Sequence, residues 1–177
     1  SNLFGLVCLS LFLVNCSDAS EPVDPCPIVP EVPSPSMYQV AQLTINTENG
    51  APVISKDKKD YVNCTLMIDS EKEEWDYTGP GRIRGRGNST WLWYPKKPYR
   101  IKLDKKSEIL GLATEKDWVL LANYRDPTHM MNTFTFIIGE KLGLPYTNHS
   151  RYVEVTLNGE YIGLYQLTEQ VEQGSSR

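Results

Sequence analysis

From Gln39 onward, apolar and β-branched residues return at every second position in one short segment after another, and this period constrains the fold more than any other feature. A side chain recurring at every second residue lies on one face of an extended strand. Gln39–Thr47 and Tyr61–Asp69 alternate in this way, separated by the turn-forming Asn49-Gly50 and a loop rich in Lys and Asp. Gly81–Gly87 and Pro98–Asp104 form a second predicted pair, joined by NSTWLWYPKK. Asp117–Asn123, DWVLLAN, is a short apolar run that reads as a buried strand. Tyr152–Leu157 and Glu160–Leu167 flank Asn158-Gly159, whose tolerance of positive φ suits a type I′ hairpin.

One stretch keeps a helical period instead. In Thr128–Leu142, Met131, Phe134, Ile138 and Leu142 fall near one face, and Gly143 and Pro145 end the pattern. The expected fold class is therefore α+β, an antiparallel sheet with one principal packed helix.

The 177 residues divide into three parts. Leu3–Val14, LFGLVCLSLFLV, is an uncharged apolar run too short to span a membrane comfortably and of the length of a signal-peptide core. It leads into Leu13-Val14-Asn15-Cys16, which resembles a lipoprotein lipobox with Cys16 as the lipidated residue, although Asn15 departs from the small residue usual there. The missing initiator Met and basic segment point to a truncated start. A signal peptide is thus expected over 1–15, a proline-rich spacer over 16–37 and a single domain over 38–177. The expected location is exported: a lipoprotein anchored to the membrane through Cys16 alone, at a bacterial surface or in the periplasm.

Composition excludes more than it selects. With 40% hydrophobic and 23% charged residues the domain reads as soluble and globular, and a formal net charge of -4 gives no global attraction to nucleic acid. Four cysteines, two of them in or beside the leader, give neither a disulfide framework nor a zinc spacing. A Cys26–Cys64 bridge stays open in an oxidising compartment, and Cys64 otherwise reads as a strand residue. His129 and His149 have no metal-ligand company.

The cations are clustered locally. Alternation puts Arg82, Arg84 and Arg86 on one face of their strand, with Ile83 on the other and glycines that let backbone approach a ligand. If the next strand pairs with it, Arg100 and Lys102 join them, a face suited to phosphate. Parity alone favours a solvated sheet surface, since exposed antiparallel sheets ordinarily carry Arg and Lys outward. GRGNS lacks the spacing of a P-loop and the third glycine of a dinucleotide fingerprint. Trp91, Trp93 and Tyr94 read as a stacking platform or as loop anchors. Asp104, Asp117 and Asp126 read as turn or cap residues.

Six phrases in order turn this pattern into a resemblance: IRGRGNSTW at Ile83–Trp91, KKPYRIKL at Lys96–Leu103, Ile109-Leu110-Gly111-Leu112, EKDWVLLANYRD at Glu115–Asp126, LGLPY at Leu142–Tyr146, and YVEVTLNGEYIGLYQLTEQV at Tyr152–Val171. From about Leu43 to Val171 the chain resembles the CotH family of atypical protein kinases, named for a bacterial spore-coat kinase. The resemblance implies the small lobe of a divergent protein-kinase-like fold that transfers the γ-phosphoryl of ATP, with Mg²⁺, to Ser or Thr of partner proteins. By analogy Arg84, Arg86 and Asn88 would lie over the phosphates, Lys102 or Lys97 would be the strand lysine, and Glu169, Gln170 and Val171 would begin the hinge. Glu140 is the candidate helix partner of that lysine. Met131 stands where the family commonly has a cation before the helix asparagine. The catalytic and metal-binding carboxylates of the family are expected beyond Arg177, so no catalytic base and no metal ligand is assigned here. The expected partners are a nucleotide and a protein substrate or surface partner. The alternative function is a non-catalytic cell-surface binding or adhesion module.

Overall fold

The computed structural model describes residues 39–171. The apolar leader, Cys16, the proline-rich spacer, Cys26 and residues 172–177 lie outside the described residues. Seven strands follow one another: β1 (Ala41–Thr47), β2 (Val62–Asp69), β3 (Tyr77–Gly85), β4 (Tyr99–Ser107), β5 (Glu115–Leu121), β6 (Ser150–Leu157) and β7 (Glu160–Glu169). A one-turn helix, α1 (Ser89–Trp93), sits between β3 and β4, and α2 (Met131–Lys141) sits between β5 and β6.

The strands close into a barrel in the order β1-β2-β3-β4-β5-β7-β6. All neighbours run antiparallel except β1 and β6, which pair in parallel from Ala41↔Val153 to Ile45↔Leu157 and seal the ring. The period of two decides what is inside. Leu43 and Ile45, Leu66 and Ile68, Ile83, Ile101 and Leu103, Trp118 and Leu120, Val153 and Val155, Tyr165 and Leu167 all point inward and are buried. Ile109, Leu110 and Leu112, from the turn after β4, join the same core.

The α+β expectation is overturned by this closure and by the way α2 sits. The chain is a closed β-barrel, and α2 is its one helix of more than two turns among the described residues, not a helix packed on an open kinase-like small-lobe sheet. The stripe Met131, Phe134, Ile138, Leu142 faces solvent, with Phe134 61% and Leu142 74% exposed. The opposite side of α2 lies on the barrel through polar groups. Asn132 donates to Asn123 at 2.9 Å, Asn123 donates to Gln166 at 3.0 Å, and Gln166 donates to Thr133 and to Ser150, each at 2.9 Å. The Tyr152 hydroxyl shares a 2.8 Å hydrogen bond with Thr133. A period of 3.6 reports that one helix face is apolar; it does not report which face meets the barrel.

The helix also starts three residues later than the pattern predicts. Asp126 accepts from the Thr128 amide at 3.0 Å, the Thr128 hydroxyl at 2.6 Å and the Met131 amide at 2.8 Å, so Thr128–Met130 form the turn that caps α2. These bonds hold the Asp126 carboxyl below its usual range, the Thr128 hydroxyl contributing most.

Candidate functional site

The strand-pair register aligns Arg82 with Lys102 and Arg84 with Arg100. With Ile83, Ile101 and Leu103 turned into the core, the five cations of β3, β4 and the following turn share the outer face. Their surroundings separate them sharply.

Arg84 is buried, and its Nη1 donates to the carbonyls of Lys56 at 2.7 Å and Gly85 at 2.8 Å. Its guanidinium also lies 5.1 Å from the Tyr61 ring, which Arg82 approaches to 5.5 Å. Arg84 thus pins the loop before β2 to the barrel. Asn88, at the start of α1, accepts from Lys56 Nζ at 2.9 Å and belongs to the same tie. Arg100 and Lys102 converge on Asp117, at 2.8 and 3.4 Å. Lys97 donates to the Trp91 carbonyl at 2.7 Å and lies over its ring. Lys96 donates to the Leu164 carbonyl and lies 4.6 Å from the Tyr165 ring, and burial lowers its pKa.

Arg86 differs. Its backbone amide donates to the Pro98 carbonyl at 3.0 Å, but its half-buried guanidinium has no acceptor among the described residues. Burial lowers its pKa, and the charges of Arg100 and Arg84 lower it further. The group is desolvated, crowded by like charge and unpaired. A cavity of about 320 Å³ opens beside it, lined also by Lys96, Tyr94, Tyr124, Arg125 and Asn132. Tyr94 and Tyr124 stack there with centroids 5.3 Å apart and planes 29° from parallel. Arg125 donates to the Tyr94 hydroxyl at 3.1 Å, and its guanidinium stands 5.9 Å from that ring. The cavity lining therefore combines the unpaired Arg86 guanidinium with aromatic rings, and the Asp126 carboxylate lies on the same lining.

The remaining predicted residues lie elsewhere. Glu169 ends β7 inside the barrel wall and is 1% exposed; its Oε2 accepts from the His149 amide at 2.9 Å, and Oε1 lies 3.4 Å from His149 Nδ1. Glu140 lines a separate cavity with Phe136, Thr147 and His149, and forms no ion pair with Lys97 or Lys102. Of the six cofactor-binding candidates, Arg86 alone lines the aromatic cavity. Lys96, Tyr124, Arg125 and Asn132 were not singled out from the sequence. The signal that could have found Tyr124 and Arg125 is their place in ANYRD, directly after a buried strand, where chain leaves the barrel at an Asn123 of φ 46°.

The glycines of GRIRGRG serve a different purpose from the one the sequence invites. A Cβ on Gly85 would stand 2.6 Å from the Trp91 ring, and one on Gly81 would stand 2.9 Å from Leu66 Cδ1 and from the Lys102 carbonyl. They let the chain's own side chains and strands close up. Trp91 packs against the core edge-to-face with Tyr99, at 6.1 Å between centroids, whereas Trp93 is 74% exposed.

The site is thus an aromatic-walled cavity on a small closed barrel, with the Arg86 guanidinium left without an acceptor. Residues 83–177, more than half of the chain, match the family model described as CotH kinase protein. The chain belongs to that CotH kinase family. No curated protein matches the chain.

Proposed function

We propose that this CotH-family chain binds ATP in the cavity beside Arg86 and serves transfer of its γ-phosphoryl group to Ser or Thr hydroxyls of surface or coat proteins. One observation carries the reading: Arg86 is desolvated, repelled by Arg84 and Arg100, and has no acceptor of its own. A phosphate oxygen would relieve all three conditions, since a guanidinium forks onto such oxygens in charge-assisted pairs. The Tyr94–Tyr124 pair gives a purine a flat apolar surface on the same cavity.

Phosphoryl transfer is largely positioning and charge neutralisation. In the transfer, the acceptor oxygen forms a bond to the γ-phosphorus, the bond to the bridging oxygen breaks, ADP departs and the hydroxyl proton passes to a base. Arg86 would contribute grip and neutralisation; no described residue is assigned as the base. Among the described residues no group of three or more His, Cys, Asp or Glu side chains is placed to hold a metal ion, and no residue is assigned as a ligand of the Mg²⁺ expected with the nucleotide. Export and lipidation at Cys16 belong to the same proposal, tested by loss of lipid labelling in Cys16→Ala.

The experiment is calorimetric titration of the full chain with ATP, with and without Mg²⁺. Arg86→Ala should weaken binding by roughly 10- to 100-fold, the worth of a hydrogen bond to a charged group. Lys105→Ala, on the exposed end of β4, should leave it unchanged. Equal affinity in wild type and Arg86→Ala would remove the site assignment. A second reading, a non-catalytic surface-binding module, draws on the exposed Leu92 and Trp93. It predicts partner binding that Trp93→Ala abolishes and that persists in Arg86→Ala.

A further inference from the structure

The His129 carbonyl, just before α2, can only accept hydrogen bonds, and it sets the direction of a relay that runs from it to the cavity beside Arg86. The Tyr152 hydroxyl donates to this carbonyl, which spends its one hydrogen. In the 2.8 Å bond between Tyr152 and Thr133 the donor is therefore Thr133. With its own hydrogen spent, the Thr133 hydroxyl accepts from Gln166. The Gln166 amide thus turns its Nε2 to Thr133 and Ser150 and its Oε1 to Asn123. Gln166 is fully buried, where a reversed amide would set oxygen against oxygen with no water to relieve it. Asn123 then gives its Nδ2 to Gln166 at 3.0 Å and its Oδ1 to Asn132, whose Nδ2 donates at 2.9 Å. The relay ends on the cavity lining. Asn132 has an Oδ1 that accepts from no described residue, beside an N–H left over.

We infer that Asn132 reads the base of the bound nucleotide and selects adenine, through an amide whose orientation the relay sets. This rests on the nucleotide reading above and deepens it. An amide oxygen next to an amide N–H matches an exocyclic amine next to a ring nitrogen, as adenine presents at N6 with N7 or N1. Hypoxanthine and guanine carry a carbonyl oxygen in place of that amine, and it would face the Asn132 oxygen. An asparagine free to turn over could donate to that carbonyl. Asn132 cannot do so without bringing its Oδ1 against the Asn123 Oδ1. The Asp126 carboxylate, on the same lining, has both oxygens engaged in capping α2. Tyr94 and Tyr124 stack on this lining and give the purine a surface to lie on, whereas Glu169, the expected start of a hinge, does not line the cavity.

The experiment is calorimetric titration of the full chain with ATP, with ITP, which carries hypoxanthine, and with inorganic tripolyphosphate. Wild type should bind ATP roughly 10- to 100-fold more tightly than ITP, the worth of a bidentate amide–base pair. Asn132→Ala should bring the two nucleotides together while tripolyphosphate, held through Arg86, binds as before. Tyr152→Phe, outside the cavity lining, frees the Thr133 hydrogen to turn toward Gln166 and should narrow the same gap with tripolyphosphate binding unchanged. ATP and ITP bound equally by wild type, or a gap that survives Asn132→Ala, overturns this inference and leaves nucleotide binding standing. An equal loss of ATP, ITP and tripolyphosphate in Asn132→Ala would make the residue structural and overturns it as well. Failure of wild type to bind either nucleotide overturns the nucleotide reading and this inference together.

Discussion

Arg86 is a residue whose folded environment is worse for it than water. Burial removes its hydration, and Arg84 and Arg100 repel it, while Arg84 and Arg100 themselves have found partners in the Lys56 carbonyl and Asp117. Removing its charge should therefore leave the free protein as stable as before or raise its melting temperature, while nucleotide affinity falls. That opposition, read by thermal melts with and without ATP, separates a ligand-binding arginine from a structural one. Gly85 makes the contrasting case. Ala at this position would drive a methyl into the Trp91 ring, which is wedged against Tyr99 and cannot swing freely. Gly85→Ala should cost about 1–3 kcal/mol in denaturant unfolding, the usual penalty for overpacking. Parity in the sequence did place the five cations on one face. It could not distinguish the one left half-buried without an acceptor, because Lys56, Tyr61 and Asp117 reach that face from distant segments.

At the scale of elements, the strands were legible and the seating of the helix was not. Alternation in Gln39–Thr47, Tyr61–Asp69 and Tyr152–Leu167 survives as β1, β2, β6 and β7 because one face of each is buried and a one-residue slip would expose it. Helix α2 obeys no such rule. Its hold on the barrel is a chain of side-chain amides and hydroxyls centred on Gln166, which is fully buried and bonds to Asn123, Thr133 and Ser150. Gln166→Ala should strand several buried polar groups at about 1–3 kcal/mol each when unpaired. Hydrogen exchange should then rise in Met131–Lys141 before it rises in the strands, since the helix has few apolar contacts with the barrel to fall back on. Uniform acceleration across α2 and all seven strands would show instead that the helix and barrel open as one unit.

For the whole molecule, closure is the property that no local pattern announces. The sealing pair joins Ala41–Ile45 to Val153–Leu157, more than a hundred residues apart, and it is parallel where hairpin signals predict only antiparallel neighbours. Closure removes sheet edges and makes a single dry interior, and the titratable groups at its walls register that dryness together. Burial pushes the Cys64 thiol up to about 12, with Asp104 adding to the effect. Burial likewise raises Tyr165, beside Tyr99, and Tyr99, near Glu160. For groups raised in the folded state, stability is fully present below the unfolded value and is lost as pH climbs toward the folded one, because the unfolded chain releases those protons first. The barrel should therefore weaken progressively from pH 9.0 to about 12, over the interval between the ordinary and folded thiol values. At a pH about 1.5 above the lower limit, Cys64 alone should account for on the order of 2 kcal/mol. Urea unfolding near neutrality and in this alkaline range measures the loss, and Cys64→Val should recover the thiol's part while leaving the slope due to the tyrosines. Native Cys64 should also alkylate far more slowly than the same thiol in the unfolded chain, as a buried neutral thiol must. A flat stability profile with fast alkylation would mean that the barrel breathes open at β2, the strand that holds Cys64 between β1 and β3.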